Sequence, residues 1–185
     1  LTNLSNSCQK FGITGMDVYG DSTLTPDESF LRRFEAEVAN ALGMGDCVFL
    51  PSGTMGQQIA LCIHSQREQT HSEGAQATGR AHFVCHFSSH LLLHEHDSYC
   101  ALLGMRAEVV PQEPTRMSQD PLTLATLVAT VERFDDLHSS TPASAADPRP
   151  RVTTVILECP HREVGGKCTP LVEVVAISQF CRARG

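Results

Sequence analysis

Three stretches of the chain hold the residues that can do chemistry. In the first, Ser52-Gly53-Thr54 sets two hydroxyls and a glycine after the apolar run Val48-Phe49-Leu50, which Pro51 stops. A helical pattern follows from Met55 to Cys62, with Met55, Ile59 and Cys62 at helical spacing. A strand, a small polar turn and a helix together make an anion site, because the first turn of a helix leaves its amides without intrahelical partners. The same residues also read as a plain N-cap, in which a hydroxyl satisfies one of those amides and binds nothing else. The second stretch is rich in histidine: His82, His86, His90, His94 and His96, with Glu95 and Asp97 among them. Histidines four apart share a helix face, so His86, His90 and His94 are candidate ligands of a metal-binding module. Against that, His82 and His86 fall on an expected strand and His90 on a helix, and neither an HExxH motif nor a clustered Cys/His set occurs. An imidazole at a strand-to-helix turn can instead lie flat against a planar heteroaromatic cofactor, and His90 has that position. His82, His94 and His96 read as histidines outside the chemistry. The third stretch, Cys159 to Gly166, follows the most apolar run of the chain and carries His161 and Arg162.

The elements that must position these residues alternate. The helical period predicts a helix from Pro26-Asp27 to Leu42, with Phe30, Leu31, Phe34, Val38, Ala41 and Leu42 near one face and Gly43 as the stop. Short strands are expected at 81–86 and at 106–110, separated by a helix that Ser89 caps and that runs from His90 to about Leu103. Pro121 to Phe134 reads as a helix presenting Leu124, Leu127, Val128 and Val131. The run 152–158 is apolar enough to predict a central strand. Leu171 to Arg184 reads as a helix burying Val172, Val175, Ile177 and Phe180. Two polar stretches, 65–80 and 138–151, read as surface insertions. Strands alternating with helices at this spacing predict an α/β fold, a mostly parallel sheet with helices on both faces. In such sheets ligands sit beyond the carboxyl ends of the strands, where all three stretches fall.

Composition narrows the partners. The net charge of -7 argues against a nucleic-acid binder, which needs clustered Lys and Arg. No apolar run approaches the length of a membrane span. The 8 cysteines include no CxxC pair, and Cys47, Cys62 and Cys85 sit inside apolar runs. They read as reduced thiols of an intracellular, cytoplasmic protein.

The series DVYGD, VFLPSGTMGQQIAL, SSHLLLHEHD and VILECPHREVGG resembles, in that order, the threonine aldolase and β-eliminating lyase family of pyridoxal-phosphate enzymes. The resemblance spans about residues 15 to 185. It implies the incomplete large domain of a fold-type I pyridoxal-phosphate enzyme, with residues 1–25 as an N-terminal segment carrying an active-site loop and 26–185 as a partial cofactor-binding domain. It also implies roles. Ser52, Gly53 and Thr54 match the turn that binds the phosphate of pyridoxal 5'-phosphate, and the Met55 N–H adjoins them. His90 matches the histidine that stacks on the cofactor ring and handles protons, and Glu95 an acidic position after it. Glu158 and His161 fit the loop where the family often reads Glu-Asn-Thr-His-Asn, while Cys159-Pro160 departs from it. His161 is thereby a second catalytic candidate, and Arg162 and Tyr19 are candidates for binding an amino-acid substrate. Tyr19 and Asp21 match a loop often supplied across a dimer interface. The implied reaction is retro-aldol cleavage of a β-hydroxy amino acid to glycine and an aldehyde, or β-elimination, in a homodimer or homotetramer.

The family's cofactor-anchoring lysine and the aspartate that pairs with the pyridine nitrogen match no residue of the chain, whose lysines are Lys10 and Lys167. Two other readings therefore stand beside the lyase: a non-catalytic truncated remnant or partner subunit, and the histidine-based metal-binding module. The 185-residue chain expressed alone is expected to have no lyase activity. A threonine-dependent aldehyde signal well above a no-enzyme control would refute this.

Overall fold

A computed structural model of the chain describes residues 6–7, 9–10, 25, 27–66, 81–110, 120–140 and 149–184. The expected loop Asp17–Thr23, with Tyr19 and Asp21, and the greater part of the two polar insertions lie outside the described residues. The chain divides into two compact units, Leu1–Gly53 and Thr54–Gly185.

In the first unit, helix α1 (Phe30–Leu42) begins when Ser29 caps it, its hydroxyl accepting from the Arg32 N–H at 3.2 Å. The start is therefore later than Pro26-Asp27. The helix ends at Gly43, whose φ of 67° is left-handed, and the Met44 N–H returns to the Ala39 carbonyl. Glycine takes that conformation without a Cβ penalty. The buried face is Leu31, Glu35 and Ala39, and the expected face is turned partly outward, with Phe34 and Leu42 exposed. The cause is Glu35, a buried acid satisfied on both oxygens. One oxygen pairs with Arg32, and the other accepts the Phe49 N–H at 2.7 Å. That bond occupies the Phe49 amide, and the expected strand Val48–Leu50 forms no sheet pairing, leaving Val48 and Phe49 exposed.

Helix α2 (Gly53–Gln66) starts before Met55 and outlasts Cys62. Its inward residues are Leu61 and Ser65, while Met55, Ile59 and Ile63 form an exposed stripe. The second unit is built on three parallel strands in the order β2-β1-β3: β1 (Ala81–His86), β2 (Arg106–Val110) and β3 (Arg151–Val155). The buried, central strand is β1, all six of whose residues are buried. The run 152–158, expected at the centre, supplies the edge strand among the described residues, and its ladder stops at Val155 with one further bond from the Ile156 N–H to the Val84 carbonyl. Register slips by one residue at Thr153: His82 pairs with Val152 but Phe83 with Thr154.

Side-chain alternation along β1 feeds two cores. Phe83 and Cys85 pack with Leu61, Leu91, Tyr99 and Met105 on one face. Val84 packs with Val110, Leu122, Leu127, Val131 and Ile177 on the other. The helices thus cover both faces, α2, α3 (His90–His94) and α4 (Ser98–Leu103) on one side, α5 (Leu124–His138) and α6 (Leu171–Arg184) on the other. The single helix expected from His90 to Leu103 is broken between α3 and α4, because His96 and Asp97 take left-handed φ values of 50° and 55°. Thr123, in a capping box with Thr126, starts α5 three residues after Pro121. On α6 only Ile177 is fully buried; Phe180 is half-buried, and the expected Val172 and Val175 are exposed. Among the described residues no helix is long and apolar enough to cross a membrane.

His82 gives the fold a pH dependence. It is buried against Phe134, with Nδ1 2.8 Å from Glu108 Oε1 and with His138 and Arg106 also near it. Burial is the main influence and pushes its pKa below the usual histidine value, partly offset by Glu108. The unfolded chain takes up this proton near pH 6.5, before the folded chain does, so stability is lost as pH falls from there through the lowered native value. The urea midpoint is expected to drop between about pH 7.5 and about pH 5.5, and to drop less in His82→Gln. Equal drops in the two proteins would refute the assignment.

Candidate active site

Because β1 and β3 are parallel, their carboxyl ends open at the same edge of the sheet. From β1 the chain passes through His86, Phe87, Ser88 and Ser89 into α3. Ser89 occupies the cap position without making a side-chain capping bond. The cap comes from the other strand. Glu158, three residues past β3, accepts the His90 backbone N–H on Oε1 at 2.7 Å. Its second oxygen lies 3.9 Å from His161 Nε2. One carboxylate thus draws His90 and His161 to the same place.

Each histidine has a different setting. The His90 side chain is half-exposed, with Nδ1 3.4 Å from Oε1 of Glu95. Glu95 is wholly buried; Oε1 also accepts from Gln57 Nε2 at 3.1 Å, which ties α2 to the break between α3 and α4. A parallel bond joins Gln58 Nε2 to Ser98 Oγ at 2.7 Å. Among the described residues, His90 Nδ1 and Glu95 Oε2 are buried polar atoms that make no hydrogen bond. His161 is 2% exposed and is fixed at both ends. Its backbone N–H donates to the Lys167 carbonyl at 2.8 Å, a loop closed by Gly165 and Gly166 at φ 75° and 74°. Its ring Nε2 lies 3.2 Å from both the hydroxyl and the carbonyl oxygen of Ser88. Ser88 also contacts His86 Nδ1, at 2.9 Å from the hydroxyl and 3.2 Å from the N–H. Burial first, and then the neighbouring His161, push the His86 pKa down, against smaller opposing effects of Glu158 and the Asp120 backbone.

Of the residues singled out by sequence, His90, Glu95, Glu158 and His161 converge. Thr54 lies in the same unit, in the first turn of α2, whereas Ser52 and Gly53 are the last residues of the other unit. Arg162 starts the short 3-10 turn Arg162–Val164 with its side chain exposed, Nε 3.6 Å from Glu163 Oε1. Tyr19 lies outside the described residues. His94 pairs with Glu163 at 3.1 Å, a bond that holds the Glu163 carboxyl below its usual range. Among the described residues no three His, Cys, Asp or Glu side chains gather as a metal-ligand set. Sequence reasoning missed Gln57 and Ser88. The signal for Ser88 was its place between two chemistry-bearing histidines, His86 and His90, on the turn from β1 into α3.

The residues fit an aromatic phosphate ester. Thr54 and Met55 are exposed in the first turn of a 14-residue helix. First-turn amides in that setting suit a phosphate. The half-exposed His90 ring, with the buried Glu95 carboxylate beside it, suits a polar, planar partner.

The profile of a family described as beta-eliminating lyase matches residues 13–185. The probable low-specificity L-threonine aldolase 2 of Arabidopsis thaliana is 24% identical over 166 residues, 89% of this chain and 39% of its own. An uncharacterized Caenorhabditis elegans protein is 26% identical over 172 residues, 93% of this chain and 34% of its own. The crystal structure of a candidate L-allo-threonine aldolase from Listeria monocytogenes aligns with a TM-score of 0.61 and 28% identity, over 98% of this chain and 40% of that one. The chain therefore spans about two fifths of the length of these relatives.

Gln57 donates to a carboxylate that water does not reach. Gln57→Leu leaves that oxygen with a donor removed and is expected to cost about 1–3 kcal/mol in urea unfolding. Adding Glu95→Met should recover part of the loss, since the orphaned acceptor goes with it. A Gln57→Leu protein as stable as the wild type would show that the bond carries no weight.

Proposed function

Since the chain belongs to the beta-eliminating lyase family, we propose that it furnishes the phosphate-binding and proton-handling part of a threonine-aldolase-like, pyridoxal-phosphate-dependent lyase acting on β-hydroxy amino acids. The observation that carries this reading is the Glu158 carboxylate, which accepts from the His90 amide and stands 3.9 Å from the ring of His161. Two imidazoles with different exposures, held by one acid at the carboxyl ends of parallel strands, suit a reaction that moves a proton next to a bound planar group.

Thr54 and the amides of the first turn of α2 that follow it would hold the phosphate. His90 would lie against the ring. Pyridoxal phosphate, when bound, supplies a covalent handle for the amino nitrogen of the substrate and a sink for the electron pair left on Cα. The remaining work falls to the side chains. His161 takes the proton from the β-hydroxyl as the Cα–Cβ bond breaks, so that the hydroxyl carbon leaves as an aldehyde and Cα, reprotonated, becomes that of glycine. Glu158 stabilises the charge that His161 gains. The near-complete burial of His161 keeps bulk water from competing for that proton.

The test uses a protein that carries this chain within the full length of its relatives, supplied with pyridoxal phosphate and a panel of β-hydroxy amino acids. Glycine and the matching aldehyde are expected in equal amounts. His161→Gln is expected to lower kcat/KM by about a hundredfold or more, the scale of a lost general base. Thr54→Ala is expected to weaken cofactor binding with less effect on kcat. A protein that cleaves none of the panel, or that is indifferent to His161→Gln, would sink the proposal.

A further inference from the structure

We infer that Ser88, with His86 behind it, is a positioning residue that holds His161 as a single tautomer, the proton on Nε2 and the lone pair on Nδ1, and so selects Nδ1 as the atom that accepts the substrate proton. The last clause rests on the proposed function; the tautomer stands on geometry alone.

The polarity of the whole cluster follows from the backbone of one residue. The Ser88 N–H can only donate, and it meets His86 Nδ1 at 3.2 Å. That nitrogen is therefore an acceptor, and a neutral His86 carries its proton on Nε2. The Ser88 hydroxyl, 2.9 Å from the same Nδ1, must donate to it, which uses its one proton. Toward His161 Nε2, 3.2 Å away, the hydroxyl is then left as an acceptor. The Ser88 carbonyl can only accept, and it too lies 3.2 Å from that Nε2. Two acceptors on one nitrogen require an N–H there, and a neutral imidazole has one proton, so Nδ1 keeps the lone pair. Glu158 Oε2, 3.9 Å from Nε2, adds a field of the same sign. The rings of His86 and His161 meet edge to face, with centroids 4.7 Å apart and planes at 85°. His161 is 2% exposed, so this contact and the Ser88 bonds resist its rotation.

The histidine nitrogens of the chain labelled with 15N-histidine report this directly, with His161→Gln assigning the signals. The wild type is expected to show His161 protonated at Nε2 and unprotonated at Nδ1. His86→Phe deprives the Ser88 hydroxyl of its acceptor and frees it to donate to His161 Nε2, so the His161 signals should shift toward the Nδ1–H form. Ser88→Ala removes the competing hydroxyl and keeps the carbonyl, so it should retain the wild-type tautomer. The double variant should return to the wild-type pattern, which a mere packing defect at position 86 would not do. In the full-length protein, kcat/KM should fall in His86→Phe in proportion to the wrong-tautomer fraction and recover in the double variant. A wild-type His161 protonated at Nδ1 overturns the inference, and that spectrum needs no variant besides the one that assigns it. So does a His86→Phe spectrum identical to the wild type, or a double variant that stays shifted. A wild type that cleaves no β-hydroxy amino acid overturns the proposed function instead, and the spectra still decide the tautomer.

Discussion

The bond from the His90 amide to Glu158 is the constraint on which the rest of the site depends. A helix begins with amides that have no partner inside it, and α3, five residues long, has little internal stabilisation. Its flanking Ser89 does not provide the cap. A carboxylate from the far side of β1 does, through a charge-assisted bond of 2.7 Å. The bond joins residues 68 positions apart in sequence, and it is the pairing of β1 with β3 that sets them side by side. Where α3 begins, and with it where the His90 ring stands, is therefore a property of the sheet and not of the local sequence.

The same dependence explains what could be read from the residues. The α/β alternation, the buried run 81–86 and the edge where the site lies were legible, because they follow from periodicity and from the geometry of parallel sheets. The grouping of His90, Glu158 and His161 was legible through the resemblance of their motifs to a family. Helix faces were not. Glu35 is polar by composition, yet two satisfied oxygens allow it to be buried and turn α1 on its axis. Val172 and Val175 fit a buried stripe by spacing but lie on the exposed side of α6. Nor was the order of strands. Residues 152–158 carry the more regular β-branched pattern, but among the described residues 81–86 is the strand with a neighbour on each side. The break at His96-Asp97 was hidden because positive φ is uncommon outside glycine, even for Asp and His, the types that adopt it more often.

The histidine-rich segment shows how burial, and not spacing, assigns a role. His82 turns to Glu108 and the α5 aromatics, His86 to Ser88, His90 to Glu158 and Glu95, and His94 to Glu163. Four imidazoles within thirteen positions thus have four different sets of partners. Alternation along β1 sends His82 and His86 to the face opposite Phe83 and Cys85, while α3 sets His90 and His94 ring to ring at 5.0 Å. The cluster is a consequence of one strand and one helix start meeting, and its members share a neighbourhood but not a set of protein partners.

The slipped register at Thr153 governs which side of the sheet the acid reaches. Before it, Val152 belongs to the core with Val84; after it, Val155 and Leu157 do, and Ile156 packs on the opposite core with Phe83. Two residues of strand return a side chain to its own face, so the step from 152 to 155 is possible only because one residue is inserted. Ile156 and Glu158 share a parity, and that parity is the one on which α3 lies. An uninterrupted ladder would carry Glu158 to the α5 and α6 face, beyond the reach of the His90 amide. A single extra residue in an edge strand thereby acts as a phase shifter, setting the sign of everything downstream of it.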